Sequence, residues 1–252
     1  MSRRRRGSYF TALALTGVVG PTQAISAQSV SPPIAEYQER ARSSFQLQNA
    51  SIFPLTVVLE VRGFSITEQG DVVDVPLDTS RIHVKLSEMS FRIPPRGSRT
   101  VFYEASGDSL PAWFNILSAM SGARLESGLN VRILLPHVVY LNQKRPLRKE
   151  EVAIRRFEVD AAAKKVRVQL ENLGPNLGRV HQFTVGDGRK TSQSGPGFPL
   201  LPHSRRWAET EWDNPAPPTQ LRLRFGRFSV DTALSPVTAS RGADTAASAL
   251  RP

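Results

Sequence analysis

The fold is decided by residues 91–141, which have the sequence FRIPPRGSRTVFYEASGDSLPAWFNILSAMSGARLESGLNVRILLPHVVYL. A strand pattern ends in Pro94-Pro95, and a charged turn separates it from a second strand pattern. A Leu110-Pro111 loop then leads into an apolar segment that begins at Trp113. The final run, Val131–Leu141, is almost entirely apolar. Because a strand with one solvated face alternates apolar and polar residues, this run predicts a strand that is buried on both faces or covered by another protein.

Short strand patterns, separated by glycine, proline and asparagine turns, continue outward from this stretch, and helical periodicity is nearly absent. In the first half of the chain the strand candidates are Ile34–Tyr37, Ser44–Asn49, Leu55–Val61, Ile82–Leu86 with Phe91–Ile93 as its continuation, Ser98–Tyr103, Trp113–Leu117 and Val131–Leu141. Seven short strands in about 115 residues are typical of an immunoglobulin-like sandwich.

A charged connector over residues 142–151 predicts a domain boundary. Strand patterns resume after it, at Val152–Val159, Lys165–Leu170, Arg179–Val185, Arg205–Glu211 and Gln220–Val230. We therefore expect an all-β protein with one immunoglobulin-like domain over residues 28–145 and a second, smaller one over residues 146–234. Residues 235–252 are rich in Ala, Ser and Thr without an apolar period, and this composition predicts a disordered tail.

The N-terminus has the three parts of a secretory signal peptide. Arg3–Arg6 form a positive region, Tyr9–Val19 form a short apolar region, and Ala24 or Ala27 offers a cleavage site after a small residue. An apolar run of about ten residues is too short for a membrane-spanning helix. We therefore expect residues 1–27 to direct export by general secretion.

The formal net charge of +11 does not indicate a nucleic-acid-binding surface. Four of these charges are Arg3–Arg6 in the predicted signal peptide, and the other basic residues are interleaved with acidic ones. A nucleic-acid site would require a basic stripe with aromatic residues for stacking.

The sequence also has no cysteine, which excludes thiol catalysis and thiolate metal sites.

No motif in the sequence indicates an enzyme. No pair among the four histidines has a metal-ligand spacing; they are His83, His137, His181 and His203. Adjacent Glu150 and Glu151 would point to opposite faces of an extended chain, which is poor geometry for a paired acid and base. No glycine-rich phosphate loop and no serine nucleophile elbow is present. We therefore expect no catalytic residue, no metal and no cofactor.

Several short segments follow one another in a characteristic order. In the first half they are Ser31-Pro32-Pro33, Phe45–Asn49 with Pro54, Phe91–Gly97, Leu110-Pro111 with Trp113–Leu117, and Leu129–Leu141. In the second half they are Leu170–Asn172 and Leu200–Pro202. In order and spacing these segments resemble the PapD-like family of periplasmic pilus (fimbrial) assembly chaperones, and most closely its divergent, archaic-like branch.

The resemblance implies two immunoglobulin-like domains arranged as a boomerang, located in the periplasm. In this family the last strand of the first domain, here about residues 129–141, is lent to an incomplete pilus subunit, which then passes to an outer-membrane usher. The partners implied are therefore pilus subunits and an usher. The subunit-binding set implied on this strand is Leu125, Leu129, Val131, Ile133 and Leu135. The alternative is that these side chains face the protein's own core, and Arg132 and Leu134 on the other face serve as the comparison.

This sequence departs from the family pattern at the carboxylate anchor. Many members hold the C-terminal carboxylate of the subunit with an arginine on the first strand and a lysine on the last. The corresponding positions here lie near Ile34 or Ala35 and near Pro136, and they carry neither residue. The remaining anchor candidates are Arg40, Arg42 and His137.

Two other functions stay open at this point. A structural or adhesive surface protein built from sandwich domains would have a first domain that covers itself. A secreted enzyme would need convergent carboxylates, or a nucleophile with a base, and it ranks last. An exposed apolar edge can also be covered by a second copy of the chain, so a self-capping homodimer is a further expectation.

Overall fold

A computed structural model describes residues 28–124, 130–195 and 197–234. The predicted signal peptide, the predicted tail, and the candidates Leu125 and Leu129 lie outside the described residues. Regular structure in the described part is strand, apart from a 3₁₀ turn at Lys149–Glu151. The all-β prediction is confirmed.

Ten strands form the first half of the molecule. They are β1 (Ser29–Ser31), β2 (Ile34–Gln38), β3 (Arg40–Gln48), β4 (Leu55–Ile66), β5 (Val72–Val75), β6 (Ile82–Leu86), β7 (Ser90–Ile93), β8 (Ser98–Gly107), β9 (Ala112–Arg124) and β10 (Asn130–Asn142).

These strands form two sheets that face each other. One sheet has the order β1-β3-β8-β6, and the other has the order β2-β10-β9-β4-β5, with β7 also paired to β4. Successive residues of a strand point to opposite faces, so alternate side chains of each strand meet between the sheets. The resulting core includes Phe45, Leu47, Tyr103, Phe114 and Ile116, each at most 2% exposed.

Eight strands form the second half. They are β11 (Val152–Asp160), β12 (Lys165–Asn172), β13 (Gly178–Gly186), β14 (Thr191–Gln193), β15 (Phe198–Leu200), β16 (Arg205–Glu211), β17 (Gln220–Phe225) and β18 (Ser229–Ala233). One sheet has the order β11-β12-β16, and the other has the order β14-β13-β17-β18, with β15 also paired to β13. The second core includes Val168, Leu170, Phe183, Leu200 and Leu223, each 0% exposed.

The predicted strands agree with the structure where the sequence pattern is long enough to show a period. Ile82–Leu86 and Arg205–Glu211 have the predicted bounds. The single strand expected at Gln220–Val230 is instead the hairpin of β17 and β18, closed by a hydrogen bond from Phe225 N–H to the Phe228 carbonyl at 2.9 Å. Strands β1, β5, β14 and β15 were not predicted, because three or four residues cannot show an alternation.

The chain changes sheets at the beginning of the first domain. β1 is antiparallel to β3 in one sheet, whereas β2 is parallel to β10 in the other. The two residues between them, Pro32 and Pro33, are named the crossover here. Proline has no N–H to donate, so a strand ladder ends readily at such a pair.

Asn49 is a buried polar residue that holds a turn of the first domain, and it is 0% exposed. Its Nδ2 lies within hydrogen-bond distance of three carbonyl oxygens, those of Phe53 (2.8 Å), Pro94 (3.0 Å) and Ile93 (3.3 Å). Its Oδ1 accepts the N–H of Ser51 at 3.0 Å. The side chain therefore satisfies backbone groups in the turn that follows β3 and at the end of β7.

Asn172 has the same function in the second domain, where it is also 0% exposed. Its Nδ2 donates to the carbonyl oxygens of Asn176 (2.7 Å) and Leu200 (3.2 Å), and its Oδ1 accepts the N–H of Gly174 at 2.9 Å. Each sandwich thus has one asparagine at the end of a central strand that joins the following turn to a distant segment.

We expect Asn49→Ala to lower the free energy of unfolding by about 2–3 kcal/mol, because it leaves buried carbonyl oxygens without a donor. Urea unfolding monitored by circular dichroism measures this change. Gln48→Ala, at the exposed neighbouring position, is the matched control and should change stability by less than about 0.5 kcal/mol. Equal losses in the two variants would contradict the assigned role of Asn49.

Candidate protein-binding edge

β10 is the strand on which the candidate site depends. One of its edges pairs with β9 in antiparallel register, from Asn130 to Leu141. The other edge pairs with β2, and this pairing covers only Val138–Asn142. From Asn130 to Pro136 the second edge has no neighbouring strand within the described part of the chain. This segment of unpaired backbone is called the open edge below.

One hydrogen bond shows which backbone groups point to the open edge. Val138 donates its N–H to the carbonyl of Pro33 at 2.9 Å, on the β2 side. Because the backbone groups of successive residues point to opposite edges of a strand, those of Leu134 and Pro136 point to the open edge and those of Leu135 point to β9. Pro136 therefore costs the β9 ladder no hydrogen bond, as expected for a proline on a sheet edge.

We expect proline at position 135 to be far more destabilising than proline at position 134. Leu135→Pro removes an N–H from the β9 ladder and leaves a carbonyl unpaired. The free energy of unfolding of this variant should therefore be about 2 kcal/mol lower than that of the Leu134→Pro variant. Urea unfolding measures both. Leu135→Ala gives the share that is due to lost side-chain burial, and similar losses for the two proline variants would show that the backbone directions are wrongly assigned.

The inward side chains of β10 become less buried along the open edge. At the end next to β2 the inward side chains are fully buried, with 0% exposure for His137, Val139 and Leu141. On the open edge they are only partly buried, and these are Val131, Ile133 and Leu135. The facing sheet therefore covers β10 completely only at the end that pairs with β2.

The structure brings the described members of the predicted subunit-binding set to one face. Ile133 and Leu135 pack against the first core, which is the alternative that the sequence left open. Neither is closed off from solvent, however, and Val131 is also partly exposed. Arg132 and Leu134 lie on the opposite, outward face and are exposed.

The outward face of the same sheet carries a separate apolar row. Leu134 is paired with Ala119, which is paired with Val58 on the next strand. Leu134 is 56% exposed, Val58 is 50% exposed, and the neighbouring Met89 is 54% exposed. This row is distinct from the inward set because it lies on the other side of the sheet.

His137, one of the predicted carboxylate anchors, is 0% exposed. Its Nδ1 donates to the carbonyl of Pro32 at 2.7 Å, because a carbonyl oxygen can only accept, and its Nε2 then accepts the hydroxyl of Tyr103 at 3.0 Å. The ring also stacks on Phe45, with 4.6 Å between ring centroids. Burial lowers the pKa of His137, so the ring is neutral at pH 7. Both nitrogens are engaged inside the protein, and His137 has no donor free for the carboxylate of a partner.

The structure does not bring the three anchor candidates together. Arg42 lies on β3, in the facing sheet, with its side chain 88% exposed and paired with Glu104 at 3.2 Å. Arg40 is also an exposed residue of β3. Neither arginine shares a face with His137, which points into the core, so no composite anchor is formed.

The contact between the two domains was not predicted from the sequence. Phe64 and Tyr140 of the first domain form an apolar cluster with Leu177 and Leu201 of the second, and all four are at most 7% exposed. The side chain of Gln143 adds a reciprocal pair of hydrogen bonds with the backbone of Leu177, at 3.1 and 3.3 Å.

Two arginines of the second domain lie at this contact. Arg179 forms an ion pair with Glu36 and lies over the ring of Tyr140, 5.0 Å from its centroid. Arg206 donates to the carbonyl of Gly70 in the first domain at 3.5 Å and to that of Pro199 in its own domain at 3.2 Å, and burial lowers the pKa of its guanidinium. No sequence signal could have identified these pairs, since Glu36 and Arg179 are 143 positions apart.

No helix in the described residues is long enough and apolar enough to cross a membrane. Across residues 28–124, 130–195 and 197–234, no three His, Asp or Glu side chains are grouped as metal ligands.

Comparison with known proteins gave matches among solved structures only. No family model matches the sequence, and no curated protein matches it. The class 5 fimbriae chaperone CfaA is 8% identical with a TM-score of 0.50, and the match covers 84% of this chain and 100% of that one. A chain of the Salmonella enterica SafA pilin–SafB chaperone complex is 12% identical with a TM-score of 0.51, covering 84% and 98%. The E. coli chaperone DraB is 13% identical with a TM-score of 0.50, covering 82% and 98%.

The chain has the fold of the fimbrial chaperones. At identities of 8% to 13% these matches show the fold alone. The predicted resemblance is thereby confirmed at the level of architecture, with two immunoglobulin-like domains that account for most of the chain.

Proposed function

We propose that this protein is a periplasmic chaperone that holds pilus subunits through the open edge of β10. The open edge itself carries the proposal, because it combines an unpaired backbone with a partly exposed apolar inner face. The fold shared with fimbrial chaperones and the signal-peptide pattern of residues 1–27 support the same conclusion.

Backbone pairing supplies the first part of the grip. A partner that lacks one strand can add the open edge to its own sheet, and the main-chain hydrogen bonds then form regardless of the partner's sequence. A strand edge without a neighbour is prone to such pairing. The carbonyl groups of Leu134 and Pro136 and the N–H of Leu134 point to the side on which the partner strand would lie.

The inward side chains supply the second part. Val131, Ile133 and Leu135 would lose their remaining exposure in the groove of an incomplete subunit. Full burial of an aliphatic side chain contributes about 1.5–3 kcal/mol, and each of these contributes less because it is already partly buried. This gain is offset in part by the cost of association. Leu125 and Leu129, outside the described residues, extend the same odd-numbered set.

In the remaining steps of the proposed function, another strand replaces β10 in the subunit and the subunit is released. The chaperone delivers its subunit to an outer-membrane usher, and it uses no cofactor and no catalytic step. In the absence of a subunit, a second copy of the chain can cover the same open edge. We assign the grip to the open edge rather than to an anchor at Arg40, Arg42 or His137.

Co-purification from the periplasm tests the proposal. The tagged full-length chain is co-expressed with candidate strand-deficient pilus subunits and compared with a Val131→Glu, Ile133→Glu double variant. We expect the wild type to retain a subunit and the double variant to retain at least about tenfold less, because two carboxylates cannot be buried unpaired in an apolar groove.

Val73→Glu is the matched control. Val73 is an apolar residue, 45% exposed, on β5 at the opposite edge of the same sheet. This variant should retain the subunit as the wild type does. Leu134→Pro, which removes an N–H from the open edge and spares the core, is the second test if the double variant does not fold, and it should also weaken retention.

A wild-type chain that retains no subunit would overturn the chaperone function and favour a structural or adhesive module. Equal retention by the wild type, the double variant and Leu134→Pro would show that subunits bind elsewhere on the protein. Thermal unfolding of every variant by circular dichroism establishes that each comparison is made between folded proteins.

A further inference from the structure

We propose that His137 is an acid-sensitive clamp that ties the crossover to β10 and thereby sets the length of the open edge. Two adjacent hydrogen bonds make the tie. His137 Nδ1 donates to the carbonyl of Pro32 at 2.7 Å, and Val138 N–H donates to the carbonyl of Pro33 at 2.9 Å. The clamp operates in the free chain, so it does not depend on the proposed chaperone function.

The crossover itself is exposed, and these two bonds connect it to the interior. Pro32 and Pro33 are exposed residues, and Ile34, the first residue of β2, is 44% exposed. On the other side, His137 is 0% exposed within the core. One buried ring therefore holds an exposed segment that has little burial of its own.

A chain of hydroxyl groups completes the surroundings of the ring. The Tyr37 hydroxyl lies 2.9 Å from the Tyr103 hydroxyl, which lies 3.0 Å from His137 Nε2. Because Nε2 of the neutral ring can only accept, Tyr103 donates to it, and Tyr37 in turn donates to Tyr103. Phe45 stacks on one face of the ring, and Ile116 is its register partner on β9.

No carboxylate faces the ring to balance a positive charge in the described structure. The charged residues of the elements packed around it are Glu36 on β2, Arg40 and Arg42 on β3, Arg99 and Glu104 on β8, and Arg132 on β10. All six are exposed, so they lie away from the buried ring. β9 has no charged residue from Ala112 to Ala123.

Protonation of His137 is therefore unfavourable in the closed state, in which the crossover is bound to β10, and easier in an opened state, in which the crossover is released. The pKa of the ring is lowered by burial, whereas release of the crossover exposes the ring and restores the ordinary pKa of ~6.5. The opened state then binds the proton more readily. The clamp is therefore fully stable above pH ~6.5. As the pH falls from there toward the lowered pKa, the equilibrium constant for opening increases by up to about tenfold per pH unit.

Release of the crossover extends the open edge toward the domain contact. The bond from Val138 N–H to Pro33 is broken, and the first residues of β2 lose their ladder with β10. Backbone groups that β2 covers at neutral pH then become available for pairing. Mild acid thus lengthens the segment of β10 that can accept another strand.

Amide hydrogen exchange of the free chain tests the clamp. The exchange rate of Val138 is measured by NMR from pH 7.5 to pH 5.0 and corrected for the intrinsic rate. We expect its protection to fall by up to about tenfold per pH unit below ~6.5. The amide of Val57 in the core, 0% exposed, should keep constant protection over the same range.

Three variants separate the clamp from general acid sensitivity. His137→Asn keeps an N–H donor toward Pro32 but cannot titrate, so the pH dependence of Val138 should disappear. His137→Gln likewise cannot titrate, so it should also lose the pH dependence of Val138. His83→Asn, at an exposed histidine 3.1 Å from Asp108, is the control and should behave as the wild type.

Two results would overturn the clamp. One is a Val138 protection that does not change with pH in the wild type, and the other is the same pH dependence in His137→Asn. If His137→Asn does not fold, His137→Gln decides, because the same pH dependence in that variant contradicts the clamp.

Discussion

The parallel pairing of β2 with only the last part of β10 is the constraint on which the first domain depends. β2 covers Val138–Asn142 and no more, because the chain before the crossover at Pro32-Pro33 belongs to β1, which pairs with β3 in the facing sheet. The chain on either side of the crossover therefore adds β1 to the edge of the β3 sheet and leaves part of the β10 edge in the other sheet without a neighbouring strand. A backbone edge without hydrogen-bond partners is available for strand addition, and this availability is a consequence of where the crossover lies.

A single strand consequently has two environments. Near the domain contact β10 lies between β9 and β2, and its inward side chains are fully buried. Toward Asn130 it has one neighbour, and Val131, Ile133 and Leu135 keep part of their surface in water. The end paired with β2 anchors the strand to the core, and the open edge presents backbone and apolar side chains together.

Buried polar side chains complete the backbone hydrogen bonding where prolines and turns interrupt the ladders. Asn49 satisfies the carbonyl of Pro94, Asn172 satisfies that of Leu200, and His137 satisfies that of Pro32. Each one links segments that are far apart in the sequence, so each fixes a loop against a sheet. Of the three, only the histidine is a titratable group, and this is the basis of the acid sensitivity proposed for its connection.

The sequence by itself determined the all-β class, most of the longer strands and the unusual apolarity of β10, because alternation and turn residues are local signals. It also determined the family resemblance, through the order of short segments such as Phe91–Gly97 and Leu110-Pro111. It could not decide between a structural role and an anchoring role for His137, since a histidine in an apolar run has the same local pattern whether its ring is buried or offered to a partner. Only the tertiary structure decided that both ring nitrogens are occupied, that Glu36 meets Arg179 at the domain contact, and that β10 has an open edge. These features arise from contacts between residues that are distant in the chain. The spacing of residues in the sequence does not indicate which distant backbone or side-chain groups will be in contact.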